Sequence, residues 1–265
     1  MSITNTRRGI VLIALAAVAI CLFISQEVYR RTRSTAQFDF ESGDFSGWIK
    51  KFAASYSGQI VRMPVRRGKY AARFELRAGD DTGDGIRAEV KEMYCAPLGR
   101  EIWYSFSTFI PQDFPIVETP TVITQWHASE DSGEGLAARS PVLAHRYANG
   151  DLVIDIRFSS QKIQRANDGI SKVLYKHVSF PRGMWHDFLY RIRWSYVPDG
   201  LVECWLDGKQ IIAYKGPVGY NDDNGPYFKF GLYHHDGISP FIIYHDEYRR
   251  GFSRKDVSSY GELGH

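Results

Sequence analysis

The chain has 265 residues, of which 44% are hydrophobic, 14% aromatic and 24% charged. These proportions are those of an ordinary globular protein, and they exclude a largely disordered or fibrous chain. Because the formal net charge is only +3, overall charge does not indicate nucleic acid as a partner, and an anionic ligand would need a local basic patch.

The N-terminus carries a candidate membrane-targeting segment. Arg7 and Arg8 precede an unbroken apolar run from Gly9 to Ile24. This run is longer than the core of a usual signal peptide and at the short end for a spanning helix. We expect residues 1–25 to form a hydrophobic anchor helix in the membrane, or a signal peptide if they are cleaved, and residues 26–35 to form a polar linker.

From residue 36 onward the sequence predicts short strands. Runs of alternating apolar and polar residues are separated by turn signals, and no long segment has helical periodicity. Asn149-Gly150 and Asp207-Gly208 each predict a tight hairpin between two such runs. Many short strands with regular turns are typical of a β-sandwich or barrel. We therefore predict one all-β sandwich domain over residues 36–265.

Three of the predicted strands combine an apolar face with an unusual polar face. Side chains alternate across a strand, so residues two apart share a face. The polar faces consist of Arg87, Glu89 and Lys91 in the first strand, Gln125 and His127 in the second, and Tyr227, Lys229, Gly231 and Tyr233 in the third. Taken alone, each motif is explained by a solvated ion pair or ordinary surface residues. Together they favour a charged, hydrogen-bonding groove on one sheet.

The sequence gives little sign of a metal or cofactor. Cys95 and Cys204 cannot form a zinc site of the paired-cysteine type; they could form a disulfide after export, but two buried free thiols are the simpler interpretation. Asp80, Asp81 and Asp84 could hold calcium through their oxygens, although their spacing is more typical of a solvated hairpin. We expect no cofactor and no metal.

The three motifs resemble the signature strands of the jelly-roll polysaccharide lyases, which include the alginate lyases and the glucuronan and heparin lyase group. "IRAEV", "TQWHA" and "YFKFGLY" occur in the order of that family. "FDFESGDFSGW", "WHDFLYRIRWS" and "FIIYHDEYRRG" are similar to its first, middle and last strands, so the likeness covers nearly all of residues 36–255. The residue patterns of the second and third motifs resemble the glucuronan and heparin lyases more than typical alginate lyases. The resemblance implies a two-sheet, concanavalin-like jelly roll that binds an anionic polysaccharide in a concave groove.

The reaction that the resemblance implies is β-elimination at a uronic acid. The enzyme removes the proton on C5 of the sugar and expels the oxygen on C4, which leaves an unsaturated sugar. The proton is removable only if the adjacent carboxylate is neutralised and its developing charge is stabilised, a role that suits Gln125 and Arg87. His127 suits the base and Tyr233 the acid. Tyr233 could serve as both where the C5 proton and the C4 oxygen lie on one face of the sugar.

The same resemblance suggests residues that bind the substrate without reacting. These candidates are Lys229, Glu89, Tyr227 and Lys91. Lys229 would hold a neighbouring carboxylate, and Glu89 would position Arg87 or Lys229. Tyr227 could stack on a sugar ring or pack at the floor of the groove, and Gly231 would leave room for the polymer to approach the backbone.

Other classes of function stay open from the sequence. A glycoside hydrolase on a similar sandwich would need two carboxylates across the scissile bond, and the E-x-D-x-E strand of the sandwich glucanases is absent. A noncatalytic module would bind an acidic polysaccharide without cleaving it. In a structural envelope protein, the polar residues of the groove would be incidental. Because polymers of uronic acids lie outside the cytoplasm, we expect the domain to be exported. It would be anchored to the membrane facing the periplasm or the cell exterior, or secreted if the N-terminal segment is cleaved.

Overall fold

The alternating sequence pattern produces two β-sheets that face each other across one core. The computed structural model describes residues 35–129, 131, 139–163, 169–234 and 240–258. These residues form an all-β sandwich, as predicted. The predicted anchor helix and nearly all of the predicted linker lie outside the described residues, so membrane association and export stay predictions. Within the described part, no helix has the length and apolar character needed to span a membrane.

The described part contains sixteen strands and one short helix. In chain order they are β1 (Ala36–Phe38), β2 (Ile49–Lys51), β3 (Gly58–Val61), β4 (Ala71–Leu76), β5 (Arg87–Cys95), β6 (Glu101–Phe109), β7 (Thr121–His127), β8 (Leu143–Ala148), β9 (Asp151–Ser159), β10 (Ile170–His177), β11 (Trp185–Arg193), β12 (Leu201–Leu206), β13 (Lys209–Lys215), β14 (Gly219–Tyr220), β15 (Tyr227–Tyr233), β16 (Phe241–Gly251) and α1 (Arg254–Val257).

Each sheet contains eight of these strands, and nearly all pairs are antiparallel. Sheet 1 has the order β13-β12-β11-β6-β16-β4-β3, with β1 also paired to β16. Sheet 2 has the order β10-β9-β8-β7-β15-β5-β2, and β14 adds a short parallel pairing to β9. The three strands that carry the polar motifs, β7, β15 and β5, are therefore neighbours in the middle of sheet 2.

Both predicted hairpins are present. Asn149 and Gly150 have φ values of 53° and 83° between β8 and β9, and Asp207 and Gly208 have values of 50° and 80° between β12 and β13. Two consecutive residues with positive φ form the tight turn that matches the twist of the flanking strands. This is why Asn-Gly and Asp-Gly, which tolerate that conformation, occupy these corners.

An aromatic core holds the two sheets together. Trp126 of sheet 2 packs with its ring centroid 5.0 Å from that of Phe228 and 5.3 Å from that of Tyr104 in sheet 1. Phe230 stacks on His245 of sheet 1 at 4.6 Å. Because these apolar residues alternate with the polar motifs along β7 and β15, burying them turns the polar motifs to the outer face of sheet 2.

Both cysteines of the domain are free thiols, as predicted, but only Cys204 is buried, whereas Cys95 is half-buried. Cys204 lies in β12 of sheet 1 and Cys95 in β5 of sheet 2. Burial raises the pKa of the Cys204 thiol, which keeps it protonated and unreactive. The disulfide that the sequence left open is not formed.

The acidic segment before β5 directs its carboxylates to protein groups. Asp80 accepts hydrogen bonds from the Tyr56 hydroxyl at 2.6 Å and from the backbone of Arg77 at 2.8 Å. Asp81 accepts the backbone N–H of Gly83 at 2.8 Å, as in a turn. Within the described ranges, no group of three or more histidine, cysteine, aspartate or glutamate side chains could hold a metal ion.

The burial of two histidines leads us to expect that acid destabilises the fold. His145 forms a hydrogen bond of 2.5 Å with the Tyr190 hydroxyl, and His245 forms one of 3.1 Å with the Thr108 hydroxyl. Burial lowers the pKa of each imidazole to about 3. The unfolded chain therefore binds more protons than the folded chain below about pH 6.5, and stability falls with decreasing pH from there toward pH 3 by about 1.4 kcal/mol per pH unit for each histidine.

We expect His245→Phe to weaken this pH dependence. Measured by denaturant unfolding between about pH 6 and about pH 4.5, the slope of the unfolding free energy should fall by about 1.4 kcal/mol per pH unit. Tyr190→Phe is the control, because it removes a hydrogen bond without removing a titrating ring, and its slope should match that of the wild type. An unchanged slope in His245→Phe would contradict the assignment.

Candidate active site

The register of the three central strands places the polar motifs in rows across sheet 2. Lys229 of β15 lies between Lys91 of β5 and Gln125 of β7. Tyr227 pairs with His127 at one end of β15. Tyr233 pairs with Arg87 at the other end. The strands thus place all of the residues that the sequence proposed in one region of sheet 2, with Tyr227 and Tyr233 at opposite ends of β15.

A buried carboxylate joins these strands. Glu89 of β5 is only 1% exposed. Its Oε2 lies 2.6 Å from the ammonium Nζ of Lys229 and 3.4 Å from Nη1 of Arg87, and its Oε1 accepts a hydrogen bond from the side-chain amide of Gln125. Glu89 thus contacts Lys229, as the sequence suggested, and also the two groups proposed to hold the substrate carboxylate.

Lys229 is an ammonium group held beneath the surface of sheet 2. Its side chain is almost fully buried, which lowers its pKa, while the charge of Glu89 opposes that shift. Arg87 is less buried and also contacts Asp84, with Nε 3.5 Å from Oδ1. Its guanidinium lies 4.8 Å from the centre of the Tyr233 ring. Two cationic groups thus border the position between Gln125 and Tyr233.

His127 ends β7 with its imidazole in the neutral form. Burial, together with the charge of Lys229, lowers the pKa of His127 to about 4. Its Nδ1 lies 3.1 Å from the carbonyl oxygen of Ala128. A carbonyl oxygen only accepts hydrogen bonds, so Nδ1 carries the proton and Nε2 has the lone pair that a base requires.

Tyr227 and Lys91 lie at the same end of the site as His127. The Lys91 ammonium is 5.2 Å from the centre of the Tyr227 ring, and this ring is 5.6 Å from that of His127. These contacts fix the ring of Tyr227 on the outer face of sheet 2. An aromatic face held between two polar groups is suited to contact with a sugar ring.

Gly231 is required by the close pairing of β15 with β5. Its φ is 129°, a conformation that side-chain-bearing residues rarely adopt. A Cβ at this position would lie 2.2 Å from the carbonyl oxygen of Ala88 and 2.8 Å from Cα of Glu89. The close approach that requires glycine is therefore made by β5, rather than by a polymer as expected from the sequence.

A cleft crosses the outer face of sheet 2 over these residues. It consists of two adjoining cavities of about 610 Å³ and about 330 Å³. Both cavities are lined by Asp84, Arg87, His127, Arg139 and Lys229. The larger cavity extends over β2 and β5, and the smaller one extends over β8 and β9.

Three arginines of the cleft were not found from the sequence. Arg139 is 7% exposed and forms an ion pair with Asp222. Arg146 of β8 lies 2.8 Å from Asp155, and Arg157 of β9 has a buried Nε with no hydrogen-bond partner among the described residues. Arg157 and its neighbour Asp155 alternate with apolar residues along β9, as the polar residues of the three motifs do. The strand period could therefore have identified Arg157 from the sequence. Arg139 lies outside the strands, where no such signal exists.

Comparisons with known proteins identify the family and the fold of the chain. A family model for polysaccharide lyases matches residues 40–249, which is more than half of the chain. The chain therefore belongs to the polysaccharide lyase family and is a lyase. No curated protein matches the chain in sequence.

The fold is shared with solved structures of low sequence identity. An endo-β-1,4-glucuronan lyase from the fungus Trichoderma reesei has a TM-score of 0.71 and 20% identity, covering 85% of this chain and 98% of its own. An alginate lyase from a Chlorella virus has a TM-score of 0.53 and 10% identity, with coverages of 82% and 99%. A β-glucanase catalytic domain from Podospora anserina has a TM-score of 0.53 and 12% identity, covering 80% of this chain and 88% of its own. Because the β-glucanase shares the fold, the fold alone does not define the reaction.

We expect Glu89→Gln to damage both stability and catalysis. The change leaves the buried ammonium of Lys229 without its counter-charge, which costs about 3–5 kcal/mol when one partner of a buried pair is removed. Displacement of Arg87 and Gln125 should lower turnover per folded molecule by about a hundredfold. Denaturant unfolding and turnover corrected for the folded fraction measure the two effects.

Glu75→Gln is the matched control. Glu75 is a buried carboxylate of β4 in sheet 1, away from the cleft, and lies 2.5 Å from Arg73. Its substitution should destabilise the protein and leave turnover per folded molecule unchanged. Equal losses of turnover in the two variants would show that Glu89 has only a structural role.

Proposed function

We propose that this lyase cleaves a polymer of uronic acids by β-elimination in the cleft of sheet 2. The observation that carries the proposal is the joining of Arg87, Lys229 and Gln125 by Glu89 at the point where the two cavities of the cleft meet. Cations and an amide donor around one position suit a carboxylate-bearing sugar. His127 and Tyr233 line the cleft beside them and can transfer protons.

The donors retain capacity for the substrate after they have contacted Glu89. An ammonium has three N–H groups, a guanidinium five and a primary amide two, whereas each contact with Glu89 uses one. We assign Gln125, Arg87 and Lys229 to the carboxylate of the reacting sugar. Their charge and hydrogen bonds stabilise the negative charge that develops when the C5 proton leaves.

His127 and Tyr233 approach the reacting sugar from different sides. His127 is level with Tyr227 in the sheet, whereas Tyr233 lies toward the other end of β15, level with Val122 of β7. Both side chains nevertheless line the smaller cavity. A sugar over Gln125 and Lys229 would therefore have one of these groups on each side.

The stereochemistry of the sugar decides the role of each group. In β-1,4-linked D-glucuronate the C5 proton and the C4 oxygen lie on the same face, so one group can remove the proton and then protonate the leaving oxygen. We assign both steps to Tyr233 for such a polymer, with the neutral His127 placed to hydrogen-bond the sugar. For a sugar with the two groups on opposite faces, His127 removes the proton and Tyr233 donates one.

We propose a polyglucuronate as the substrate. Two observations support this choice: the residue patterns of the second and third motifs, and the fold shared with a glucuronan lyase. The cleft also carries cations on both sides of the reacting position, Lys51 and Lys91 in the larger cavity and Arg146 and Arg157 in the smaller one. Such an arrangement suits a chain with carboxylates on successive sugars.

The first test is the formation of unsaturated product from polyglucuronate, measured as ultraviolet absorbance of the C4=C5 double bond. We expect Tyr233→Phe to lower the rate about a thousandfold or more, because it removes the hydroxyl that moves both protons. Gln125→Ala and His127→Ala should each lower it about a hundredfold. Tyr244→Phe, which changes a tyrosine of sheet 1, is the matched control and should keep the rate. Product formation by Tyr233→Phe at the wild-type rate would contradict the mechanism.

The second test is the pH profile. Catalysis requires neutral His127, so the rate should fall as pH decreases through its pKa of about 4. Lys229 contributes to that low pKa, and its replacement in Lys229→Met should therefore raise the pKa of His127 and move the acid limb of kcat/KM to higher pH. Lys91→Met, which removes a cation elsewhere in the cleft, should leave the limb in place. A limb that stays fixed or moves to lower pH in Lys229→Met would contradict this coupling.

A further inference from the structure

A separate cavity of about 250 Å³ lies on the outer face of sheet 1, on the opposite side of the sandwich from the cleft. Ser105 of β6 and Leu189 of β11, which are paired across the sheet, form its floor. Trp205 of β12 and Arg249 of β16 line its sides, and Arg254 of α1 lies at one end. None of these residues belongs to the cleft, so this cavity, which we term the back cavity, is a distinct concave site.

The back cavity has an aromatic wall. Trp205 is half-buried, and its ring is stacked with that of Trp103, with centroids 5.9 Å apart and an angle of 13° between the planes. The outer face of an antiparallel sheet in a sandwich is usually polar where it meets water. A pair of tryptophans there is typical of a surface that binds a ligand, and an indole face complements the apolar face of a sugar ring.

A strained residue directs polar groups into the back cavity. The pairing of β16 with β6 shifts between Asp246 and Arg249, which marks a β-bulge. Glu247, within the bulge, has a φ of 57°, a conformation that costs energy for a residue other than glycine. Bulges re-aim side chains near functional sites. Here the bulge presents Glu247 and Arg249 to the cavity as a pair 2.7 Å apart, with a carboxylate that can accept hydrogen bonds from sugar hydroxyls.

The charges around the back cavity favour an acidic ligand. Each of the two carboxylates that line the cavity already forms an ion pair with an arginine: Asp187 lies 2.5 Å from Arg66, and Glu247 pairs with Arg249. Arg67 and Arg254 also line the cavity, are exposed, and form no ion pair with any described residue. The cavity therefore has an excess of positive charge that can meet a carboxylate.

We propose that the back cavity is a second saccharide-binding site that takes one uronate residue of the polysaccharide. The sugar ring lies against Trp205, and its carboxylate is bound by Arg254, whose guanidinium lies 5.9 Å from the centre of the Trp205 ring. The identity of this ligand rests on the proposed function, whereas the site itself rests on the outer face of sheet 1. A second site would retain a long polymer on the enzyme while the cleft cleaves it.

Binding of tetraglucuronate measured by calorimetry tests the proposal. Tyr233→Phe serves as the background, so that the probe is not consumed. We expect two molecules of tetraglucuronate per protein in this background and one when Trp205→Ala is added, with affinity at the second site reduced at least about tenfold, equivalent to about 1.4 kcal/mol. Trp185→Ala is the matched control: it removes another half-buried tryptophan of the same sheet face, packed on Phe109 rather than on the cavity, and should retain both sites.

Arg254→Glu provides a second variant with little risk to folding, because this side chain is exposed on α1. It should also abolish the second binding event. On otherwise wild-type protein, Trp205→Ala should raise KM for long polyglucuronate about tenfold and leave kcat/KM for tetraglucuronate unchanged.

One binding event in the Tyr233→Phe background, unaffected by either Trp205→Ala or Arg254→Glu, would overturn the second site and leave the cleft as proposed. Conversely, binding that depends on Trp205 and Arg254, together with a wild-type protein that forms no unsaturated product from polyglucuronate, would support the second site and contradict the proposed function. The two proposals therefore fail separately.

Discussion

The buried ion pair between Glu89 and Lys229 is the interaction on which the site depends. An ammonium group below a sheet surface is tolerated only when a charge opposes it, and Glu89 provides that charge at 2.6 Å. The same carboxylate holds Gln125 and Arg87, so one residue of β5 fixes donors on β5, β7 and β15. Because rigid strands carry all of these groups, their geometry is set before any polymer binds.

The positive charge that suits the cleft to an anionic polymer also sets the protonation of its candidate base. Burial and Lys229 keep His127 neutral down to about pH 4. Glu89 limits how far this effect reaches, because it neutralises part of the charge of Lys229 and opposes the lowering of the Lys229 pKa. In the proposed mechanism, substrate affinity and proton transfer are therefore coupled through Lys229, Glu89 and His127, and a change to one of these residues alters both.

Strand periodicity explains how much of this arrangement can be predicted from sequence. Residues two apart share a face, which was enough to group Gln125 with His127 and to predict the polar face of β15. Strand periodicity could not show why glycine is needed at position 231, because that depends on how closely β5 approaches β15. Arg139 lies in irregular chain without a period, and the back cavity is assembled from β6, β11, β12, β16 and α1, which are far apart in sequence. Contacts between distant segments leave no local pattern.

A pKa of about 4 makes His127 a weak base, and this limits what it can contribute to β-elimination. General-base catalysis is most effective when the pKa of the base lies near the working pH. In the proposed mechanism, the greater part of the barrier is then lowered by making the C5 proton more acidic, which is the role assigned to Arg87, Lys229 and Gln125 beside the substrate carboxylate. The electrostatic arrangement around Glu89 therefore matters more to the reaction than the strength of any single base.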